Sequence, residues 1–322
     1  MRPWFRPASA GTSKLARLRR LSGLLTLCAP LLLLSGCGHL FFYPSKDQFI
    51  TPDQIGLQYE DVYLTTLDGE TLHGWLLPAE GTPRGTVYFL HGNAENISTH
   101  IGNVMWLPAE GYQVFLLDYR GYGRSTGKPD IAPALLDVAT GYHWLTQSQP
   151  SPLFILGQSL GGALTITFAA QQMPDLQKQV AGIVVDSAFA SYRGIAREKL
   201  GQFWLTWAFQ HPLSWLVPTG HDPVDHIDQI APTPLLILHS SEDFVVPQHH
   251  GVRLFDRANP PKMFLATKAA HNTAFNQRQN REQVLRFFEL TASSQPLHSP
   301  FFLRQASLPA ADLIVHQSPR KR

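Results

Sequence analysis

One serine in this chain stands where a sharp turn would expose it. Gly157-Gln158-Ser159-Leu160-Gly161 directly follows the apolar run Leu153 to Leu156 and directly precedes a segment of helical character. A strand that turns at once into a helix pushes the intervening hydroxyl clear of the backbone, and small residues on either side let strand and helix approach. A free serine hydroxyl is a weak nucleophile, so the site needs a base and an acid that orients the base. On turns of this type the partners follow the serine in the order acid, then histidine. His271, in Lys268-Ala269-Ala270-His271-Asn272, lies just beyond the last apolar run and is the candidate base. His211, His221 and His226 fall in an irregular stretch, and His239 closes a strand and reads as structural. Asp186, in Val185-Asp186-Ser187, and Asp243, in Ser240-Ser241-Glu242-Asp243-Phe244, both satisfy the order, which by itself does not separate them. A tetrahedral intermediate also needs donors for its negative oxygen, and the N–H of Leu160, next to the nucleophile, is one.

These residues require a scaffold that ends its strands on one edge. Asp61 to Thr66 and Thr71 to Leu77 flank the turn pair Asp68-Gly69 and read as an opening hairpin. Short continuous apolar runs follow at Thr86 to Leu90, Val114 to Leu117, Leu153 to Leu156, Gly182 to Val185, Leu235 to Leu238 and Met263 to Ala266. Such runs suit strands buried on both faces of a parallel sheet. Helix-length segments between them, including Ile131 to Leu145 and Gly161 to Gln172, can cross over and cover both faces. The expected fold is a single α/β domain over 59–290, a mostly parallel sheet of about eight strands. Residues 189–226 break the rhythm and carry Phe189, Tyr192, Phe203, Trp204, Trp207, Phe209 and Trp215. We expect these aromatics to cover the sheet as ordinary helix packing; the competing reading is a helical cap that walls a substrate site. From Thr291 the chain loses periodicity and reads as a loosely ordered tail over 291–322.

With these motifs in place the chain resembles the α/β-hydrolase superfamily of serine hydrolases. Members commonly carry the acid after the penultimate strand in a G/S-x-x-D-x-x-V-P pattern. Ser240-Ser241-Glu242-Asp243-Phe244-Val245-Val246-Pro247 matches it, so the resemblance selects Asp243 over Asp186. Leu90-His91-Gly92-Asn93-Ala94-Glu95-Asn96 resembles the H-G-x oxyanion loop, which implies the Asn93 N–H as second donor and His91 as an internal strut. Together with Asp118-Tyr119-Arg120-Gly121-Tyr122-Gly123-Arg124-Ser125, the chain is most similar to a small, lid-poor branch that includes eukaryotic protein depalmitoylases. It departs from that branch at Glu95, where a glycine is common, and in 189–226, so no substrate carries over.

The chain has 322 residues, 44% hydrophobic and 16% charged, which excludes a disordered or collagen-like polymer. Its formal charge of +2 is unevenly placed, because Arg2, Arg6, Lys14, Arg17, Arg19 and Arg20 all precede the first acidic residue, Asp47. Without those six the chain from about residue 37 onward is near −4, and nothing in it suggests a nucleic-acid partner. The basic residues run into the uncharged stretch Leu21 to Leu34 and then Ser35-Gly36-Cys37, the order of a signal peptide over 1–36. Fourteen residues of helix reach roughly 21 Å, short of the roughly 30 Å of a hydrocarbon core. Leu34-Ser35-Gly36-Cys37 resembles the lipobox of bacterial lipoproteins, which implies acylation of Cys37 and export to a membrane surface. In a diderm cell, Gly38 resembles the sorting signal for the outer membrane, and the body would face the periplasm. Residues 37–58 then form a tether and entry segment.

Cys28 falls inside the removed part, so a mature chain has no cysteine nucleophile or disulfide. His249 and His250 could suggest a metal, but with no third ligand nearby in sequence they read as surface histidines. The expectation is a cofactor-free, metal-free serine hydrolase acting on a small acyl ester or thioester. A serine aminopeptidase or amidase could use the same residues, and an anchored scaffold without catalysis is the remaining alternative.

Overall fold

The computed structural model describes residues 37–150 and 152–292. The expected signal over 1–36, the side chain of Cys37 and the tail beyond Ala292 lie outside them. Eight strands form one sheet: β1 Glu60–Thr65, β2 Thr71–Leu77, β3 Gly85–Leu90, β4 Tyr112–Asp118, β5 Leu153–Gln158, β6 Val180–Asp186, β7 Leu235–Ser240 and β8 Lys262–Thr267. Their spatial order is β8-β7-β6-β5-β3-β4-β2-β1. β1 and β2 pair antiparallel, as do β2 and β4, and the remaining pairs are parallel. The hairpin forms where Asp68-Gly69 directs it, with Gly69 at a φ of 89° that a side chain would disfavour. The five longer helices are α1 Ile131–Ser148, α2 Leu160–Gln171, α3 Tyr192–Gln202, α4 His249–Arg257 and α5 Arg278–Ala292.

The apolar runs become strands because both faces of the sheet are covered. In β3, Tyr88 and Leu90 join one core, with Phe115, Leu117 and Ile155, while Val87 and Phe89 join the other, with Val114 and Leu116. This is the two-residue alternation of a strand, expressed as two dry faces instead of one wet and one dry. Helices α1 and α2 supply the first core through Leu135, Val138, Leu164 and Phe168. Helix α5 supplies the second through Val284, Phe287 and Phe288. It ends at Ala292, two residues beyond the expected boundary at 290.

Within the tether and entry segment, Tyr43–Pro44 pairs in parallel with Ala94–Glu95. The Ser45 N–H donates to the Glu95 carbonyl at 3.0 Å and the Gly123 N–H to the Ser45 carbonyl at 2.9 Å. The aromatics of 189–226 do not simply cover the sheet. Phe189 and Tyr192 are buried, whereas Phe203, Trp204, Trp207, Phe209 and Trp215, all beyond α3, are exposed.

Beside β4, Arg120 ties three elements together. Its guanidinium donates to Asp137 of α1 at 2.7 Å and to Asp68 of the hairpin turn at 2.7 Å, and its backbone N–H also donates to Asp137. Asp137 is fully buried, and although burial pushes its carboxyl up, Arg120 opposes that shift. Removing one partner of a buried pair strands the other charge, at a cost of about 3–5 kcal/mol. Arg120→Met should therefore lower the urea unfolding free energy by about that amount, and adding Asp137→Leu should recover most of it; equal losses in the single and double variants would contradict this account.

Candidate active site

Ser159 sits between the end of β5 and the start of α2, at φ 52° and ψ −114°. A non-glycine residue at positive φ is strained, and the flanking glycines show what holds it there. A Cβ on Gly161 would run into the Leu90 and His91 carbonyls, and one on Gly157 would meet the Gly161 carbonyl. The strand-to-helix turn thus closes against β3 only with glycine at both places.

The structure brings three of the sequence-derived residues into one hydrogen-bonded line. The Ser159 hydroxyl lies 3.0 Å from His271 Nε2, and His271 Nδ1 lies 2.7 Å from Asp243 Oδ2. A carboxylate only accepts, so the imidazole carries its proton on Nδ1 and offers Nε2 to the serine hydroxyl. The second carboxylate oxygen of Asp243 accepts from the Val245 and Val246 N–H groups at 2.9 and 2.8 Å. Burial pushes the Asp243 carboxyl up, but His271 and these two amides outweigh it and hold it below the usual carboxylate range. His239 is structural, as its strand-end position suggests: its Nε2 lies 2.8 Å from the Val246 carbonyl and fastens the acid loop to β7.

Asp186 takes a different position. It ends β6, accepts from Gln158 Nε2 at 2.8 Å, and its backbone carbonyl accepts the Ser159 N–H at 2.9 Å. It therefore braces the turn that carries the serine and makes no hydrogen bond to the histidine. Burial, partly offset by Gln158, pushes its carboxyl up to about 6.

The oxyanion loop is built to aim one peptide. Burial drives His91 well below its ordinary value, so the ring is neutral. Its Nδ1 lies 2.7 Å from the Gly92 carbonyl and must donate to it. In a trans peptide the Asn93 N–H points opposite that carbonyl, so the His91 ring sets the direction of the expected donor. The Asn93 carbonyl is held in turn by the Tyr122 hydroxyl at 2.7 Å and the Tyr43 N–H at 2.8 Å. Leu160 opens α2, and its N–H belongs to the first helical turn, which lacks intrahelical acceptors. Glu95 has φ 62°, which accounts for the glycine common at this place.

Asn93, Ser159 and Leu160 border a cavity of about 500 Å³. Its walls come from α3 and the segment after it, through Ile195, Leu200, Leu213 and Val217, and from Val245 beside the acid. Among the described residues, Lys199 is the one charged residue on it. Sequence reasoning missed the remaining wall, Leu40, Phe41 and Tyr43 of the entry segment. The signal was present, since Leu40-Phe41-Phe42-Tyr43 is an aromatic run too apolar for a solvated linker.

The histidine pair is also corrected. His250 is buried, and Glu198 of α3 supplies a third donor that sequence distance concealed, at 3.1 Å from His249 and 3.2 Å from His250. The group does not fit a metal as it stands. His250 Nδ1 accepts the Ala190 N–H at 3.1 Å, so the neutral ring carries its proton on Nε2, the atom facing Glu198. That proton makes a hydrogen bond where a metal would need a lone pair. His211 is exposed, His221 half-buried, and neither they nor His226 reach Ser159 by any hydrogen bond.

The chain is similar to several known proteins. The family described as "Serine aminopeptidase, S33" matches residues 81–228. The chain is 32% identical over 259 residues to the uncharacterized protein YfhR of Escherichia coli, covering 77% of this chain and 86% of that protein. It is 30% identical over 236 residues to the alpha/beta hydrolase domain-containing protein WAV2 of Arabidopsis thaliana, covering 69% and 74% respectively. Among solved structures an esterase of Pyrococcus furiosus superposes with a TM-score of 0.65 at 23% identity, covering 78% of this chain and 98% of that one. The last likeness concerns the fold.

The two aspartates are separable by titration. Below the ordinary carboxylate range Asp186 is protonated in both the folded and the unfolded chain. Between that range and about 6 the unfolded chain releases the proton while the folded chain keeps it, so Asp186 lowers stability as pH rises through this window. The shift corresponds to about 3 kcal/mol. Asp186→Asn, which retains an acceptor for Gln158, should gain about that much stability relative to wild type between pH 4 and pH 7 in urea unfolding. A constant difference across this range would show that the carboxyl titrates normally.

Proposed function

The chain belongs to the α/β-hydrolase superfamily, and from that premise we propose that it is a serine hydrolase cleaving carboxylic esters or thioesters through an acyl-enzyme. The observation that carries the reading is the line from Asp243 through His271 to Ser159, opening on an apolar cavity. Ser159 Oγ attacks the acyl carbonyl while His271 Nε2 takes its proton. Asp243 stabilises the imidazolium that forms. The carbonyl oxygen, now negative, is held by the N–H groups of Asn93 and Leu160. His271 returns the proton to the leaving alcohol or thiol, the acyl group stays on Ser159, and a water activated by His271 releases it.

A serine aminopeptidase or amidase is the second reading, favoured by the description of the matched family. The cavity weighs against it. A free α-amino group calls for a carboxylate, and among the described residues those bordering the cavity offer none, only Lys199 being charged. An acyl chain needs the aliphatic and aromatic surface that is present. We further propose that Cys37 carries the lipid that holds the enzyme at a membrane, as its lipobox-like context supports. Several acyl chains on one residue would anchor stably where a single one is marginal.

A fluorophosphonate probe should label the wild-type chain and spare Ser159→Ala. Asp243→Asn should lower kcat on acyl esters by roughly a thousandfold or more, in the range found when a triad is disrupted, while Asp186→Asn should stay within about tenfold. A folded wild type that resists the probe, or a faster turnover of peptide amides than of acyl esters, would overturn the ester assignment. For the anchor, cells fed labelled palmitate should incorporate it into the wild-type protein and not into Cys37→Ser; equal incorporation would place the lipid elsewhere.

A further inference from the structure

Among the described residues, the segment after α3 leaves a set of large aromatics mostly uncovered. Trp204 is 87% exposed, and Phe203, Trp207, Phe209 and Trp215 each show more than half their surface. All five fall between Phe203 and Trp215, a stretch with no carboxylate and no lysine or arginine. Phe244, also 87% exposed, is tied to α3, which leads into that stretch, its carbonyl accepting Lys199 Nζ at 3.2 Å. Soluble monomers rarely expose contiguous apolar surface beyond a few hundred Å², and six such side chains expose on the order of that area or more.

Three features bear on what would cover this surface. First, the patch borders the mouth of the Ser159 cavity, since Leu213 and Leu216 of the same segment form its wall. Second, the N-terminal entry segment reaches the same mouth: Leu40 and Phe41 line the cavity, and Phe41 packs edge-on to Tyr192 of α3 at 5.0 Å between ring centres. That segment begins at Cys37, the residue whose lipobox-like context places it at a membrane. The C-terminal helix leaves from the other edge of the sheet, where Glu289 of α5 meets Arg84, just before β3, at 2.7 Å. Third, α3 flanks the aromatics with Arg193, Arg197 and Lys199 against the single carboxylate Glu198. Tryptophan and phenylalanine beside basic residues are the composition of a surface that enters the headgroup region of an anionic bilayer.

We propose that Phe203 to Trp215, with Phe244, form a membrane-docking face that seats the cavity mouth on a lipid surface, so that acyl substrates pass from the bilayer to Ser159. The delivery half of this inference rests on the serine-hydrolase reading; the docking half does not. Docking gives the protein a second, non-covalent contact with the membrane and fixes the orientation of the mouth, which a lipid on Cys37 leaves free to rotate. It also defines a substrate class: esters or thioesters whose acyl chain is long enough to be buried in a bilayer.

The test uses the full chain and the variant W204S/W207S/F209S, three residues outside the cavity wall, with vesicles of phosphatidylethanolamine and phosphatidylglycerol at 3:1. With brominated acyl chains in the vesicles, tryptophan fluorescence of the wild type should be quenched and the quenched fraction should fall at least twofold in the variant. Hydrolysis of a long-chain acyl ester presented in the vesicles should fall about tenfold, while hydrolysis of soluble p-nitrophenyl acetate stays within twofold and the unfolding midpoint is unchanged. Equal quenching, or equal loss on both substrates, would overturn the proposal. So would a wild-type dimer that the variant converts to monomer, which assigns the face to a second copy. Quenching that appears only when the chain is cut after Ala292 would likewise assign it to the tail. Intact quenching in a wild type that hydrolyses neither ester would leave docking standing and remove the hydrolase reading.

Discussion

The backbone at Ser159 is held in a conformation that costs of order 1–3 kcal/mol in a free chain, and much of the surrounding fold serves to keep it there. β5 delivers the serine, α2 carries the chain away, and β3 closes against the turn so tightly that Gly161 cannot bear a side chain. Asp186 secures the turn from the neighbouring strand through both its carboxylate and its carbonyl. The arrangement explains why a buried acid with a raised titration point is retained although it makes no contact with the base. It spends stability on the position of one hydroxyl.

The same logic runs through the loops on that edge of the sheet. His239 fixes the Asp243 loop, His91 fixes the Asn93 peptide, and Tyr122 and Tyr43 hold the next carbonyl. Each is a local hydrogen bond from an element that the sheet order places nearby. The crossing of β3 and β4 in the order β5-β3-β4 puts the His91 loop beside the Ser159 turn, and β7 and β8 bring Asp243 and His271 to the same edge.

Much of this was legible in the sequence. Continuous apolar runs identify strands buried on both faces, and all eight strand positions follow from them and from the Asp68-Gly69 turn. Ser159, His271 and the carboxylate Asp243 lie in local motifs whose chemistry is tied to their place after a strand. What was not legible depended on distance in the chain. Glu198 stands 51 residues before His249, so no local pattern joins them; the run Leu40-Phe41-Phe42-Tyr43 announces that it is buried, but not that the Ser159 cavity is what buries it. The aromatics from Phe203 to Trp215 were misread for a different reason. Aromatic residues usually pack inward because that buries most apolar area, and composition alone cannot show that this stretch turns its rings outward.

The parallel pairing of Tyr43–Pro44 with Ala94–Glu95 sets a length scale. From Cys37 to Tyr43 the chain spans at most about 20 Å if fully drawn out, and less here because Cys37–Phe41 is coiled as a 3-10 turn. A lipid on Cys37 would therefore hold the oxyanion loop on a leash shorter than the thickness of a bilayer. On the proposed anchor and activity, selectivity would then include an altimeter: acyl bonds lying close to the headgroups would fall within reach, and those displayed on tall ectodomains would not, whatever their chemistry.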